Sequence, residues 1–264
     1  MRLFKNSDET FKPTAEIEGE DALQPQPVGK CGKAEIDRWN TEWLRYLGRE
    51  WETQLTPGAH FRETPELPES PIEMIDVRFA RNHTLRLYCD REALVGKRVM
   101  EIGCGCGNMG KLLARYVESY LGVDYSTLAL KVARLVSPDN CTYVHIADDA
   151  RLEPFYGKVD TVIGRFFWIH QNMKLAKWNL ELIDRFLEPG GRVYMDFYWG
   201  DEEVKQGVVL SPYGPLSKRY PSATFQYKTK DVEELVRSYP YNIVRNTISK
   251  PMQRRYIVLE KSLN

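Results

Sequence analysis

The feature that most constrains the fold of this 264-residue chain is a regular alternation of short β-rich runs with helix-length segments, which begins near Arg98. Such alternation is typical of right-handed β-α-β units, in which helices cover a parallel sheet. Strands are predicted at 98–103, 119–124, 142–147, 161–165 and 192–197. Helices are predicted at 109–117, 126–136 and 174–186, the second of them capped by Ser126. An α/β fold follows from this pattern.

The last part of the chain departs from the alternation. A helix is predicted at 230–238, followed by strands at 242–248 and 255–260. The connection around Pro251 is too short for a crossover helix, so these two strands are expected to pair as an antiparallel hairpin. The turn Pro189-Gly190-Gly191 is predicted to end the helix at 174–186.

The first strand runs into a glycine-rich loop, Glu101-Ile102-Gly103-Cys104-Gly105-Cys106-Gly107. A strand, glycines and then a helix place backbone N–H groups and the positive helix end against a ligand, where side chains would obstruct the approach. The spacing of Gly105, Gly107 and Gly110 also fits the Gly-x-Gly-x-x-Gly pattern of dinucleotide-binding folds. The loop alone therefore leaves two classes of cofactor open.

Three features favour S-adenosylmethionine over a dinucleotide. Glu101 precedes Gly103 by two residues and can engage the ammonium group of that cofactor, directly or through water, whereas a pyrophosphate would gain nothing from a carboxylate. No tyrosine is followed four positions later by lysine, so the acid-base pair of short-chain dehydrogenases is missing. The terminal helix-strand-strand pattern also gives a seven-stranded mixed sheet rather than a six-stranded parallel one.

Segment 99–108 resembles motif I of the class I, Rossmann-like methyltransferases, and the similarity extends over about 98–260. The resemblance implies a seven-stranded mixed sheet of order 3-2-1-4-5-7-6, flanked by helices, with an N-terminal helical cap. It also implies S-adenosylmethionine as cofactor, in contact with the loop. The loop residues expected to contact it are Glu101, Gly103, Cys104, Gly105 and Gly107.

The resemblance also assigns the adenosine part of the cofactor. Asp124 ends the second strand in a sequence that is similar to that of the family. It is expected to accept both ribose hydroxyls, with Tyr125 beside it. An acid after the third strand is expected to receive the adenine amino group. Asp149-Ala150 matches the family's usual Asp-Ala sequence better than Asp148 does. The residues that follow, Leu-Glu-Pro-Phe, differ from the family's common Leu-Pro-Phe, so the adenine contact stays open between Asp148 and Asp149.

Candidate acceptor residues follow the fourth and fifth strands. His170 could accept a hydroxyl proton as general base, or it could be a histidine bonded to backbone at a helix start. Arg165 could hold a carboxylate or phosphate of acceptor or cofactor by its planar fork, or it could be a structural ion-pair partner. Tyr198 and Trp199 could stack on a substrate ring, or they could close the edge of the core.

The expected activity is methyl transfer to a small molecule by in-line displacement. The segment 163–172 lacks the Asn/Asp-Pro-Pro-Tyr tetrapeptide of enzymes that act on adenine or glutamine amides. O-methylation of a hydroxyl, on a sugar, polyketide or other metabolite, is therefore favoured. N-methylation, modification of a macromolecule and a non-catalytic scaffold that keeps the cofactor fold remain as alternatives.

The N-terminal part divides into a flexible leader at 1–33 and a helical cap or lid at 34–95, which precede a cofactor-binding domain at 96–264. Apolar spacing predicts an aromatic-rich amphipathic helix around 39–51 and a further helix around 72–87. Trp39 and Trp43 lie one helical turn apart, so they are expected to face the acceptor together.

Composition indicates which partners and which cellular compartment to expect. Lys plus Arg equals Asp plus Glu at 37 each, so the protein has no net positive charge that would favour binding of nucleic acid. Five cysteines without a Cys-x-x-Cys pair indicate a reducing cytoplasmic compartment, and the two loop thiols complete no metal site. Neither a membrane span nor a signal-peptide core is expected. We expect a monomer or homodimer without a bound metal.

Overall fold

The structure is a computed structural model that describes residues 35–44, 89–199, 209–214, 224–250 and 253–263. The predicted leader and the predicted helix at 72–87 lie outside the described residues, as does the part of the aromatic helix beyond residue 44. The proposed boundaries between leader, cap and cofactor-binding domain therefore stay predictions.

The described residues form a mixed α/β sheet. Its strands are β1 (Arg98–Ile102), β2 (Ser119–Asp124), β3 (Cys141–His145), β4 (Val159–Gly164), β5 (Leu187–Trp199), β6 (Val209–Leu210), β7 (Thr224–Tyr227), β8 (Tyr241–Ser249) and β9 (Arg254–Lys261). Strands β3-β2-β1-β4-β5 are parallel neighbours in that order, and the antiparallel hairpin of β8 and β9 joins β5 through β9.

This arrangement confirms the expected fold, with β8 and β9 as its sixth and seventh strands. The two short strands β6 and β7 were not predicted. They pair with each other in parallel, and β7 adds to the last two residues of β5.

The helices are α1 over 35–44, α2 (Asn108–Leu113), α3 (Thr127–Val136), α4 (Asp149–Leu152), α5 (Met173–Phe186) and α6 (Thr229–Val236). Ser126 caps α3 as predicted, because its Oγ accepts the backbone N–H of Ala129 at 3.1 Å. Within the described ranges, no helix is long and apolar enough to cross a bilayer.

Two predicted boundaries were wrong. Helix α2 ends at Leu113, because the following backbone bonds to the turn before β1 instead: the N–H of Gly96 donates to the carbonyl of Tyr116 at 2.8 Å. The Pro-Gly-Gly turn does not end α5, which stops at Phe186. That turn lies inside β5, where Gly190 has φ +79° and the pairing register with β4 shifts.

The sheet brings the candidate site together. In open α/β sheets, ligands bind at the carboxyl ends of the parallel strands, near the point where the strand order reverses. Here β1, β2 and β4 are neighbours, so the segments that follow Ile102, Asp124 and Gly164 meet at one edge. The glycine loop, the acid and the segment with Arg165 and His170 come from these three strand ends.

Candidate functional site

A cavity of about 370 Å³ lies at the carboxyl ends of β1, β2 and β4, beneath α1. Most of its lining comes from the segments that follow these strands, and the rest comes from α1 and α2. It is lined by Trp39, Glu42, Trp43, Glu101, Gly103, Cys104, Gly105, Asn108, Met109, Asp124, Tyr125, Arg165, Phe166, Phe167 and His170. The cavity therefore brings together residues predicted for cofactor, acceptor and catalysis.

At two positions of the glycine loop there is no room for a side chain. Gly103 and Gly105 have φ +72° and +52°, in the left-handed region that favours glycine. A Cβ at Gly103 would lie 2.3 Å from Cδ2 of Phe167, and a Cβ at Gly105 would lie 2.2 Å from Cζ2 of Trp43. The loop backbone at these two positions therefore packs directly against the rings of Phe167 and Trp43, and only glycine leaves room for them.

Asp124 ties the glycine loop to the start of α3. Its Oδ2 accepts the N–H of Gly105 at 2.8 Å, and its Oδ1 accepts the N–H of Ser126 at 2.7 Å. Burial raises the pKa of this carboxyl to about 6, although the two hydrogen bonds oppose the shift. Each carboxylate oxygen has a second lone pair, so Asp124 can hold the loop and still accept a hydroxyl.

Glu101 is a buried acid on the floor of the cavity. Tyr120 donates a short hydrogen bond to its Oε2. Burial raises the pKa of Glu101 to about 7, while the Tyr120 hydrogen bond and the charge of Arg165 act in the opposite direction. A cation placed here would favour the ionised carboxylate, so the group suits a ligand with a positive charge.

The raised pKa of Glu101 gives a testable effect on stability. Its folded pKa exceeds the ordinary value of 4.5, so ionisation destabilises the folded state. This cost is absent below pH 4.5 and complete above pH 7. Glu101→Gln keeps an acceptor for Tyr120 and removes the charge. We expect the variant to gain about 3 kcal/mol of unfolding free energy relative to the wild type between pH 4.5 and pH 8.

Urea unfolding at both pH values measures this difference. Glu118→Gln is a matched control, because Glu118 is exposed and lies outside the cavity. A stability difference between Glu101→Gln and the wild type that does not change with pH would show that the carboxyl has no raised pKa.

The loop cysteines behave as small neutral residues. Burial raises the pKa of the Cys106 thiol to about 12 and that of Cys104 well above its ordinary value. The four described cysteines form no disulfide with one another. Among the described residues, no three His, Cys, Asp or Glu side chains are grouped as ligands of a metal would be.

The segment after β4 supplies the other wall of the cavity. Phe166 has φ +58°, a conformation that non-glycine residues seldom adopt, and its N–H donates to Oδ1 of Asp196 at 3.0 Å. His170 ends a short 3-10 helix, where its N–H donates to the carbonyl of Phe167 at 3.0 Å. Its ring meets Trp39 edge to face, with the centroids 5.4 Å apart.

Helix α1 contacts the start of α3 on one side of the cavity and His170 on the other. Oδ1 of Asn40 accepts from Oγ of Ser126 at 2.9 Å and from the N–H of Leu128 at 3.2 Å, at the start of α3. On the other side, Arg38 donates to the carbonyl of His170 at 3.5 Å. Trp39 and Trp43 both line the cavity, and their contact with an acceptor stays a prediction.

Other predicted site residues lie outside the cavity lining. They are Gly107, Asp148, Asp149, Ala150, Tyr198 and Trp199. Gly107 directly precedes α2 with φ +74°, and a Cβ there would lie 2.6 Å from the Tyr143 hydroxyl. The contacts of Gly107 thus fit a role in shaping the loop.

The two adenine candidates already have partners. Asp148 caps α4 by accepting the N–H of Arg151 at 3.3 Å. Oδ1 of Asp149 accepts from Arg185 at 3.1 Å and from the Tyr156 hydroxyl. The assignment of either acid to adenine stays a prediction.

The aromatic pair at the end of β5 packs against basic side chains. The guanidinium of Arg254 lies 3.6 Å from the ring centroid of Tyr198, which is buried. Nζ of Lys250 lies 5.4 Å from the ring centroid of Trp199. These contacts favour the interpretation that Tyr198 and Trp199 close the edge of the core.

Sequence reasoning missed several residues at the site. Five of them line the cavity: Glu42, Asn108, Met109, Phe166 and Phe167. Asp196 was missed behind the cavity, where it is fully buried on β5 and lies 3.5 Å from Nε of Arg254. A charged residue inside the apolar run Tyr194-Met195-Asp196-Phe197 was the signal that could have found it.

Comparison with known proteins agrees with this geometry. Residues 99–191 match the family model of a methyltransferase domain. Over 72 residues the chain is 40% identical to a ubiquinone biosynthesis O-methyltransferase of Cupriavidus pinatubonensis, covering 26% of this chain and 29% of that protein. A protein of the same name from Pseudomonas aeruginosa is 28% identical over 109 residues, covering 40% and 46%. The matches thus span less than half the length of these two relatives.

A solved structure extends the likeness of the fold. The structure of an S-adenosylmethionine-dependent methyltransferase from Anabaena variabilis has a TM-score of 0.51 and 15% identity, covering 86% of this chain and 94% of that one. Together with the domain match and the strand order, this likeness shows the fold of these enzymes. Residues 99–191 thus match a methyltransferase domain, and the described residues share the fold of S-adenosylmethionine-dependent methyltransferases.

Proposed function

We propose that this protein transfers a methyl group from S-adenosylmethionine to a hydroxyl group of a small molecule. One observation carries the proposal: a single cavity beneath α1 is lined on one side by the glycine loop with Glu101 and Asp124, and on the other by His170. The first group suits the cofactor and the second suits a hydroxyl acceptor. Their common cavity allows both molecules to meet.

The residues of the glycine-loop side fit the cofactor. Glu101 would face its ammonium group, Asp124 would accept its ribose hydroxyls, and the backbone at Gly103 and Gly105 would lie against it. Bound there, S-adenosylmethionine would supply a methyl group activated on a sulfonium. The buried, raised-pKa carboxyls support this fit, because a cationic ligand offsets the cost of ionising them.

The residues of the other side fit an acceptor hydroxyl. The imidazole of His170 would accept the hydroxyl proton, and its position in the cavity lining supports this role. Trp39, Trp43 and Phe166 give this end aromatic walls that exclude water and align a planar acceptor. Helix α1 would act as a lid, because its contacts reach Ser126 on one side of the cavity and His170 on the other.

The names of the relatives support oxygen as the methylated atom, but the matched segments are short. Modification of a macromolecule fits less well, because α1 covers the cavity and the chain has no net positive charge. N-methylation and a scaffold role differ from the proposal in measurable ways.

A methyl-transfer assay with grouped acceptors tests the proposal. The full-length protein is incubated with S-adenosylmethionine and separate pools of phenols, sugars and primary amines, and S-adenosylhomocysteine release is measured. We expect turnover with a hydroxyl pool and a product that is heavier by one methylene group. Turnover with amines alone would replace the oxygen proposal. Cofactor binding without turnover in any pool would favour the scaffold.

A further inference from the structure

We infer that Arg165 forms a recognition site for a carboxylate on the acceptor, so that the substrate is a hydroxy acid. The inference rests on the proposed function and names the substrate class of the same cavity. Four observations carry it: the position of Arg165, its lack of a described acceptor, the charges around it, and the structure that holds its turn.

Arg165 presents its guanidinium to the cavity without an acceptor from the described residues. It directly follows β4 and lines the cavity. Its Cζ lies 4.9 Å from the ring centroid of Phe166, and no carboxylate or carbonyl of the described residues accepts a hydrogen bond from it. A guanidinium has five N–H donors in a planar fork, which matches a carboxylate by two parallel hydrogen bonds.

The neighbouring acids do not neutralise this arginine by contact. The acids whose ionisation Arg165 favours are Glu101 and Asp196. Glu101 is engaged by Tyr120, and Asp196 by the N–H of Phe166 and by Arg254. The half-buried Arg165 therefore keeps a positive charge that an incoming anion can meet.

The turn that carries Arg165 is held from behind. Phe166 adopts φ +58°, which costs free energy for a residue with a side chain. The Asp196 carboxylate accepts its N–H at 3.0 Å, and the ring has Arg165 at 4.9 Å and Arg254 at 5.6 Å from its centroid. Asp196 is fully buried and can move little. This support fixes the direction in which Arg165 leaves β4.

The position of Arg165 favours the acceptor over the cofactor. Asp124, the ribose candidate, ends β2, whereas Asp196, which supports the Arg165 turn, lies on β5 at the other side of β4. His170 follows Arg165 on the same segment and lines the same wall. An acceptor bound to Arg165 by its carboxylate would present a hydroxyl group to His170. An aromatic ring of the acceptor would link its carboxylate to its hydroxyl.

Binding of matched anionic and neutral probes tests the inference without knowledge of the true acceptor. Benzoate and benzamide have nearly the same shape and differ in charge. Their dissociation constants are measured with and without saturating S-adenosylhomocysteine, for the wild type, Arg165→Gln, Arg165→Lys and Arg115→Gln. Arg115 is exposed and lies outside the cavity, so its variant is a matched control for loss of one positive charge.

We expect the wild type and Arg115→Gln to bind benzoate ~10-fold or more tightly than benzamide, since hydrogen bonds between charged groups are the strong ones. The ratio should fall to about one in Arg165→Gln, and Arg165→Lys should lie between because it keeps the charge and loses the fork. Equal binding of the two probes by the wild type would overturn the inference, as would a preference that persists in Arg165→Gln.

A second pair of ligands separates the acceptor from the cofactor. S-adenosylhomocysteine has a carboxylate, and 5′-methylthioadenosine lacks the whole amino-acid group. We expect Arg165→Gln to bind both as the wild type does, which also shows that the variant is folded. A selective loss of S-adenosylhomocysteine affinity would assign Arg165 to the cofactor and overturn the inference. Failure of the wild type to bind either nucleoside would refute the proposed function, while the benzoate preference judges the anion site separately.

Discussion

His170→Asn is expected to lower the rate of methyl transfer by ~10²-fold or more and to leave the affinity for S-adenosylmethionine unchanged. Asparagine can keep a hydrogen bond with the acceptor but cannot take its proton. The side chain lines the cavity from the segment after β4, on the wall opposite the ribose candidate Asp124. Removal of the imidazole should therefore affect the chemical step and not cofactor binding.

The edge-to-face contact between His170 and Trp39 requires a control, because the histidine variant also loses that contact. Trp39→Leu removes the same contact and keeps the imidazole. Single-turnover rates of both variants, with a known acceptor, separate the two effects, and Trp39→Leu should lose much less rate than His170→Asn. Full activity in His170→Asn would remove the general base and favour catalysis by alignment alone. It would also favour an amine acceptor, which needs no such base when it arrives unprotonated.

Gly105→Ala is expected to reduce S-adenosylmethionine affinity by ~10-fold or more, because the added Cβ lies where the indole of Trp43 now packs. Either the loop or the tryptophan must move, and both line the cavity. Gly157→Ala is a matched control. Gly157 also has a left-handed φ, +66°, but a Cβ there would meet nothing within 4 Å.

Calorimetric titration of both glycine variants separates crowding from backbone strain. Each variant should lose ~1–2 kcal/mol of stability from the left-handed conformation, as L-residues do there. Loss of affinity should be confined to Gly105→Ala. Normal cofactor binding by that variant would show that the loop is only a turn and that the cavity above it has another use.

The sheet could be predicted because its signal is local. Each strand is a short run of apolar residues between helix-length segments, and six of the seven predicted strands match the observed ones within two residues at both ends. The exception, predicted at 192–197, is part of the longer β5. The strands β6 and β7 escaped because β6 has two residues and β7 four, too few for a periodic pattern.

The glycine loop and Asp124 were predicted because each belongs to a short motif of consecutive residues. The contacts that hold α1 and the segment after β4 join residues far apart in sequence: Asn40 meets Ser126 across 86 positions, and Asp196 meets Phe166 across 30. No local pattern encodes such a pair. The contact of Asp149 with Arg185, 36 positions away, is a further example that the local sequence does not predict.

The measurement that tests the central claim most directly is a calorimetric titration of S-adenosylmethionine into the wild type and Asp124→Ala. We expect the wild type to bind one equivalent, and we expect the variant to lose ~10²-fold or more of the affinity, since it lacks a carboxylate that accepts hydrogen bonds. The titration is done below the unfolding transition of Asp124→Ala, because that variant also leaves the N–H groups of Gly105 and Ser126 without their acceptor. Absence of binding to the wild type, or equal affinity in the two proteins, would contradict the account.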